Sequence, residues 1–369
     1  MKSRVGKAVI IGVGLIGGSL GMTLRKTGFA AEVVGVDRCN ETISHAIEME
    51  AIQSGTTDLK EGVEDADLLI IATPISAIHN VASKISGHLK PGAIITDVCS
   101  TKAEIVGIMD KSLQEGVCFI GGHPMAGSEK TGVKAADPYL FENALYILTP
   151  SSLYEERSFN IVYDMVNAVG ARPLIMTPEE HDRIVACVSH LPHLIAAALV
   201  SVAMEEDKIN KNVLPLAAGG FRDTTRIAGG DPGLWRDIFF SNKDELLRMI
   251  KLFEETLKNF RMLLERDLGD ELKTLLYDIK RTRETIPAKT KGFFSPIFEI
   301  VVMVHDRPGA ISDVTSLLAD AGLNIKDIEI LHLREGEGGT LRLGFATEDD
   351  AEGATRILES RSFTVRRRL

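Results

Sequence analysis

The sequence is short of cysteine and of positive charge, and it has no long apolar run. Each shortage excludes something. Its four cysteines, Cys39, Cys99, Cys118 and Cys187, are scattered over 369 residues with no CxxC pair. Neither a disulfide framework nor a cysteine-based metal site is expected, and the thiols read as reduced, in a cytoplasmic protein. No uninterrupted apolar run reaches the roughly 20 residues that span a bilayer, so no membrane partner is expected. The apolar stretch near the N-terminus is cut by glycines before it could serve as a signal-peptide core. With 42 Lys and Arg against 52 Asp and Glu, the net charge is −10. Such a surface repels polyanions and argues against a nucleic-acid partner, so an anionic substrate must be met by a local cluster of Arg, Lys or His.

What is present is the composition of an ordinary globular chain, 44% hydrophobic and 25% charged, long enough for two or three domains. Up to about residue 176, short continuous apolar runs alternate with amphipathic helical patterns. The runs are Ala8–Gly12, Val33–Asp37, Leu68–Thr73, Ala93–Asp97, Cys118–Gly121, Leu145–Leu148 and Pro173–Met176. Continuous rather than alternating runs indicate strands buried on both faces of a parallel sheet, and the strand-helix alternation predicts a doubly wound α/β domain of the Rossmann type over residues 1–177.

At Thr177-Pro178 the pattern changes. Thr177 suits an N-cap, Pro178 the first helical position, and Glu179 and Glu180 the first turn. From there to about Thr285 only helical patterns appear, predicting an all-α domain over 178–290. Leu246, Ile250, Phe253, Leu257, Phe260 and Leu264 form a seam at alternating spacings of four and three, to be buried within the domain or against a second subunit, a dimer being the favoured reading. Residues 297–369 then read β-α-β-β-α-β: strands near Phe298–Val304, Ile325–Leu333, Leu341–Ala346 and Phe363–Arg366, with helices after the Asp306–Gly309 turn and over Ala351–Leu358. That order is the ferredoxin-like arrangement.

Gly12-Val13-Gly14-Leu15-Ile16-Gly17 is a G-x-G-x-x-G that follows the first predicted strand and opens a helix. Its glycines permit a tight turn and a close approach of backbone to a pyrophosphate, which the helix N-terminus can bind. Asp37 ends the second strand, about 20 residues on, where a ribose hydroxyl is held. A carboxylate there favours NAD over NADP, although the adjacent Arg38 is the residue type that accommodates a 2′-phosphate.

His123 follows the fifth predicted strand in Gly121-Gly122-His123-Pro124-Met125-Ala126-Gly127-Ser128-Glu129. A loop at the carboxyl end of a strand is where an open α/β sheet places its substrate. An imidazole there can accept a hydroxyl proton near neutral pH. Ser189-His190-Leu191-Pro192-His193 lies in an apolar helix that Pro192 should kink, exposing carbonyls. Arg222 and Arg226 supply the densest positive charge, with Trp235 just beyond. His190 and His193, with His181 upstream, are the only metal candidates; lacking an HExxH pattern, they give the expectation of no metal.

Taken together, GVGLIGGS (12–19), ATP (72–74), DVCSTK (97–102), GGHPMAGSE (121–129), SHLPH (189–193), GGFRDTTRIA (219–228), DPGLWRDIF (231–239) and DRPGAI (306–311) give a chain that closely resembles the prephenate/arogenate dehydrogenases of tyrosine biosynthesis, in the form with a C-terminal ACT domain. The resemblance implies oxidative decarboxylation of prephenate to 4-hydroxyphenylpyruvate with hydride passing to NAD, in a homodimer. It implies that His123 is the catalytic His and that Ser100 helps hold the ring hydroxyl and that His. Arg226 would bind a substrate carboxylate and His193 would line the pocket, with Ser128 and Glu129 at its mouth and Trp235 beside it, from the same or the partner subunit. Leu15, Ile16, Thr73 and Pro74 would join the glycines on the cofactor. Asp306, Pro308, Gly309 and Ala310 would form part of an effector site, the implied effector being tyrosine. Arogenate dehydrogenase and a non-catalytic NAD or amino-acid sensor remain the alternatives. One residue departs from the pattern: Cys99 stands where such sequences commonly have Gly, and it is expected to pack rather than act as a nucleophile.

Overall fold

The structure, a computed structural model, describes residues 3–127, 130–151, 154–286, 298–305, 307–334 and 338–368. The chain forms two compact units, Met1–Ile279 and Lys280–Leu369. In the first, eight strands form one sheet: β1 (Val5–Ile11), β2 (Ala30–Val36), β3 (Ser54–Thr56), β4 (Leu68–Ile71), β5 (Ile94–Asp97), β6 (Cys118–Pro124), β7 (Leu145–Pro150) and β8 (Arg172–Ile175). Their order is β3-β2-β1-β4-β5-β6-β7-β8. Successive residues of β1 enter different cores: Ala8 and Ile10 pack on one face, with Leu20, Leu24 and Met165, and Val9 and Ile11 on the other, with Ile78, Ile85 and Met109. Two apolar faces on one strand explain the continuous apolar runs.

Strand order reverses between β1 and β4, creating the crevice in which open α/β sheets bind ligands. Along that edge lie the carboxyl ends of β1, β4, β5 and β6, all mutually parallel. The sheet departs from the expected all-parallel form at β7, which is antiparallel to β6. Among the described residues the intervening segment carries a short 3-10 turn, Val133–Ala135, and no crossover helix, and so the chain returns alongside the strand it left.

Beyond Thr177, whose hydroxyl caps the next helix by accepting from Glu180 N at 3.1 Å, the elements are helical up to Thr285. At Pro192, where a kink is expected, the helical winding changes. A π-helical turn, Ala186–His190, joins Pro178–Val185 to Leu191–Ile209. Its wider winding accommodates a ring that would otherwise meet the carbonyl four residues back. The joined helix, 178–209, is long and apolar enough by length and composition to cross a membrane, contrary to the reading of interrupted runs. It owes that length to the π turn, and it buries His181, Asp182, His190 and His193 within the unit. Of the seam on Lys243–Glu265, Leu246 is buried while Leu257 and Leu264 stay exposed in the single chain.

The second unit contains β9 (Phe298–Val304), β10 (Asp327–Arg334), β11 (Gly338–Phe345) and β12 (Val365–Arg368) in the order β10-β11-β9-β12, with helices Ala310–Asp320 and Glu348–Ser360. Ile300, Val302, Leu341, Leu343 and Phe345 meet Val314, Leu318, Ala354 and Leu358 in its core. This is the ferredoxin-like arrangement.

Candidate active site

The crevice begins at Gly12, whose φ of +92° excludes L side chains and whose absent Cβ would lie 2.6 Å from the carbonyl of Ala72. At Gly17 a Cβ would meet the Gly12 carbonyl at 2.1 Å. A Cβ on Gly14, by contrast, would meet nothing within 4 Å, so that position faces open space. Leu15–Lys26 starts there with no side-chain cap and no acidic residue in its first turn. Its first N–H groups are therefore suited to a pyrophosphate.

The Asp37 carboxylate accepts from Val13 N and Cys39 N, each at 3.1 Å. These bonds aim it along the glycine loop and leave each oxygen a further acceptor site. Arg38 beside it is exposed. Thr73 Oγ1 is buried without a partner, just before Pro74. The residues present thus fit a dinucleotide. Asp37→Ser is expected to raise the KM for NAD about tenfold or more and to narrow the preference over NADP, as loss of a charged acceptor dictates; initial rates with both cofactors check it.

Cys99 is buried, donates its N–H to Asp97 Oδ2 at 3.0 Å and sets its Sγ 3.7 Å from the Thr73 carbonyl. It packs, as expected, and burial pushes its thiol pKa far above the usual range. Asp97 and Lys102, both fully buried, form an ion pair. Asp97 Oδ1 accepts from Gly122 N at 3.0 Å, and Lys102 Nζ donates to Gly122 O at 2.7 Å. The residue before His123 is thereby clamped on both backbone groups.

His123 itself lies within β6, opposite Ile147 of β7, rather than on a loop. Strand pairing fixes its backbone. Its Nδ1 is 2.8 Å from His181 Nε2, and His181 Nδ1 is 2.7 Å from Asp182 Oδ1. Asp182 also accepts from Lys102 N at 2.8 Å and Ala103 N at 2.9 Å. Burial first, then His181, Lys102 and His190, hold the His123 pKa well below 6.5, which keeps the imidazole neutral at pH 7. Ser100 sits half-buried on the loop after Cys99; the Nδ1 partner of His123 is His181 instead. The sequence reading weighed His181 only as a metal candidate. Its signal was the helical stripe Pro178, His181, Asp182, Val185, all buried, at the spacing of a core-facing surface.

Asn242 extends the network: its Nδ2 lies 2.8 Å from the Asp182 carbonyl and 3.2 Å from His190 Nδ1. His193 stacks on Trp235 of the same chain, centroids 3.5 Å apart, and its Nδ1 is buried without a partner. Gly230 makes room for that stack, since a Cβ there would lie 2.6 Å from Trp235 Nε1. Burial lowers the pKa of both His190, to about 4, and His193. Arg226 is exposed and opens the 3-10 turn Arg226–Gly229. In the second unit Gly309, at φ +88°, precedes the helix that starts at Ala310, next to Pro308. Ser128, Glu129 and Asp306 lie outside the described residues.

Three family models match in chain order: the prephenate dehydrogenase nucleotide-binding domain over residues 20–176, the prephenate dehydrogenase dimerization domain over 177–278 and the ACT domain over 298–359. The chain is 35% identical over 355 residues to the prephenate dehydrogenase of Bacillus subtilis, covering 96% of each. The crystal structure of the Aquifex aeolicus prephenate dehydrogenase, in complex with hydroxyphenyl propionate and NAD+, superposes with a TM-score of 0.72 at 34% identity, covering 76% of this chain and 98% of that one. Synechocystis arogenate dehydrogenase gives 0.69 at 32% identity, covering 76% and 100%.

Proposed function

The chain belongs to the prephenate dehydrogenase family, and from that premise we propose how its own residues oxidise prephenate. Gly12–Gly17, including Leu15 and Ile16, with Asp37, Thr73 and Pro74, would hold NAD, which would supply the hydride acceptor. His123 Nε2 accepts the proton of the ring hydroxyl, so that the O–H electron pair forms the C=O bond as hydride leaves the same carbon. The ring carboxylate departs as CO2, its electron pair entering the ring. The phenolate so formed takes the proton back, giving 4-hydroxyphenylpyruvate. Ser100 holds the hydroxyl, and Arg226 pairs with a substrate carboxylate, a task that suits a planar bidentate fork. His193, stacked on Trp235, walls the pocket.

The observation that supports this reading most is His123, fixed at the end of a central strand. Its Nδ1 is occupied by His181, and its Nε2 is without a partner among the described residues. Arogenate, which differs from prephenate only in bearing an amino rather than a keto group, is the second reading, favoured by the likeness to the Synechocystis enzyme. Initial rates with each substrate crossed against NAD and NADP decide between them: the higher kcat/KM is expected with prephenate and NAD, and a higher value with arogenate transfers the assignment.

Arg226→Ala is expected to raise the substrate KM about 10- to 100-fold, the scale of a charge-assisted hydrogen bond, with kcat within about threefold. Steady-state kinetics at saturating NAD measure it; a change confined to the NAD KM would place Arg226 at the cofactor.

The proposed assembly is a homodimer through the helical segment, whose exposed Leu257 and Leu264 need cover. The proposed domain limits are 1–177, 178–290 and 297–369. Four free cysteines fit a cytoplasmic setting. Tyrosine is the proposed effector, bound at the Asp306–Ala310 turn and favouring a slower arrangement of the dimer. Added tyrosine is expected to lower the turnover rate, and an unchanged rate would remove it.

A further inference from the structure

We infer that Asp182 and His181 act as a two-residue positioning relay that holds His123 in the one tautomer able to accept a proton at Nε2. The inference rests on the reading of His123 as the base, and it follows from a chain of donors and acceptors. Asp182 is acceptor-only, and it receives three donors: Lys102 N, Ala103 N and the His181 ring. The nitrogen of His181 facing it, Nδ1, must therefore carry hydrogen. In a neutral imidazole the other nitrogen is then an acceptor. That nitrogen, Nε2, is 2.8 Å from His123 Nδ1, which must donate to it. With hydrogen fixed at Nδ1, the lone pair of neutral His123 stands at Nε2.

The relay is rigid at both ends. Asp182 shares its carboxylate with the first N–H groups of the helix Ala103–Ser112, and its own carbonyl is held by Asn242 at 2.8 Å. His123 is held by strand pairing and by the Asp97–Lys102 clamp on Gly122. The logic matches that of a carboxylate orienting a catalytic imidazole in acyl-transfer triads, with one more imidazole interposed. When His123 Nε2 takes the substrate proton, the positive charge is shared with His181 across the Nδ1–H bond and balanced by the Asp182 carboxylate. Within the relay no N–H bond breaks; the bonds that break are the substrate's O–H, C–H and C–CO2 bonds.

The test begins with nitrogen NMR of the full chain labelled at histidine, with signals assigned through His123→Asn and His181→Gln. Wild-type His123 is expected protonated at Nδ1 and bare at Nε2, and His181 protonated at Nδ1. The opposite tautomer at either ring overturns the relay, whatever the enzyme turns over. Steady-state kinetics follow. His181→Phe is expected to lower kcat about 100-fold or more, with the substrate KM within about threefold, because it leaves the tautomer of His123 unset. His181→Gln, which retains a donor and an acceptor, is expected to recover about tenfold of that loss. A loss carried by KM alone, or an equal loss in both variants, overturns the relay. Absence of prephenate oxidation by wild-type protein with the expected tautomers overturns the functional reading instead and leaves the relay standing.

Discussion

His123→Asn is expected to lower kcat by about 10³-fold, within the 10²–10⁴ that a positioned general base contributes, while the affinity for NAD stays within about twofold. Asn is smaller, cannot take up the proton, and can still reach toward His181. The groups proposed for NAD, from Gly12 to Gly17 with Asp37, lie on β1, its helix and the end of β2, separated from β6 by β4 and β5. Stopped-flow turnover alongside equilibrium NAD binding separates the two effects, and equal losses in both would mean a folding defect. The pH dependence carries the same signature. Burial, His181 and Lys102 lower the His123 pKa, so the neutral base persists as pH falls below 6.5. The acid limb of kcat/KM, expected near 6.5 for an ordinary histidine, should therefore lie lower in the wild-type enzyme, and His123→Asn should lack it.

Lys102→Met is the substitution expected to cost most in stability, about 3–5 kcal/mol, the range for removing one partner of a buried ion pair. Asp97 would keep the N–H groups of Cys99 and Gly122 but lose the Lys102 counter-charge in a fully buried site, and the Gly122 carbonyl would lose its donor. Adding Asp97→Asn removes the stranded charge. The double variant should therefore be less destabilised than the sum of the two single variants, by about 1 kcal/mol or more. Urea unfolding of the four proteins gives the cycle. Additive effects would mean that the pair contributes nothing as a pair.

Much of this was legible because local chemistry and global packing agree. The strands of the first sheet are apolar on both faces, and the glycine fingerprint coincides with the one point where strand order reverses. The strand β3, Ser54–Thr56, escaped the sequence reading because three small polar residues at a sheet edge carry no apolar run. The reversal at β7 escaped it because continuous apolar strands look alike in either direction. The π turn before Pro192 escaped it because sequence periodicity does not encode such a change of winding.

The site shows the same division. His123, Asp37 and the glycines stand in recognisable motifs. His181 and Asp182 sit in Pro178-Glu179-Glu180-His181-Asp182-Arg183, which reads as the solvated start of a helix. Only packing turns two of those polar residues toward β6. The relay joins residues 58 apart in sequence, and no local pattern announces such a bond.

The central claim is that this chain couples hydride transfer to loss of CO2 from prephenate. The most direct test is the stoichiometry of NADH and CO2 formed by the wild-type protein from prephenate and NAD. Equal amounts, with 4-hydroxyphenylpyruvate as product, are the predicted result. NADH without CO2, or neither, would contradict it.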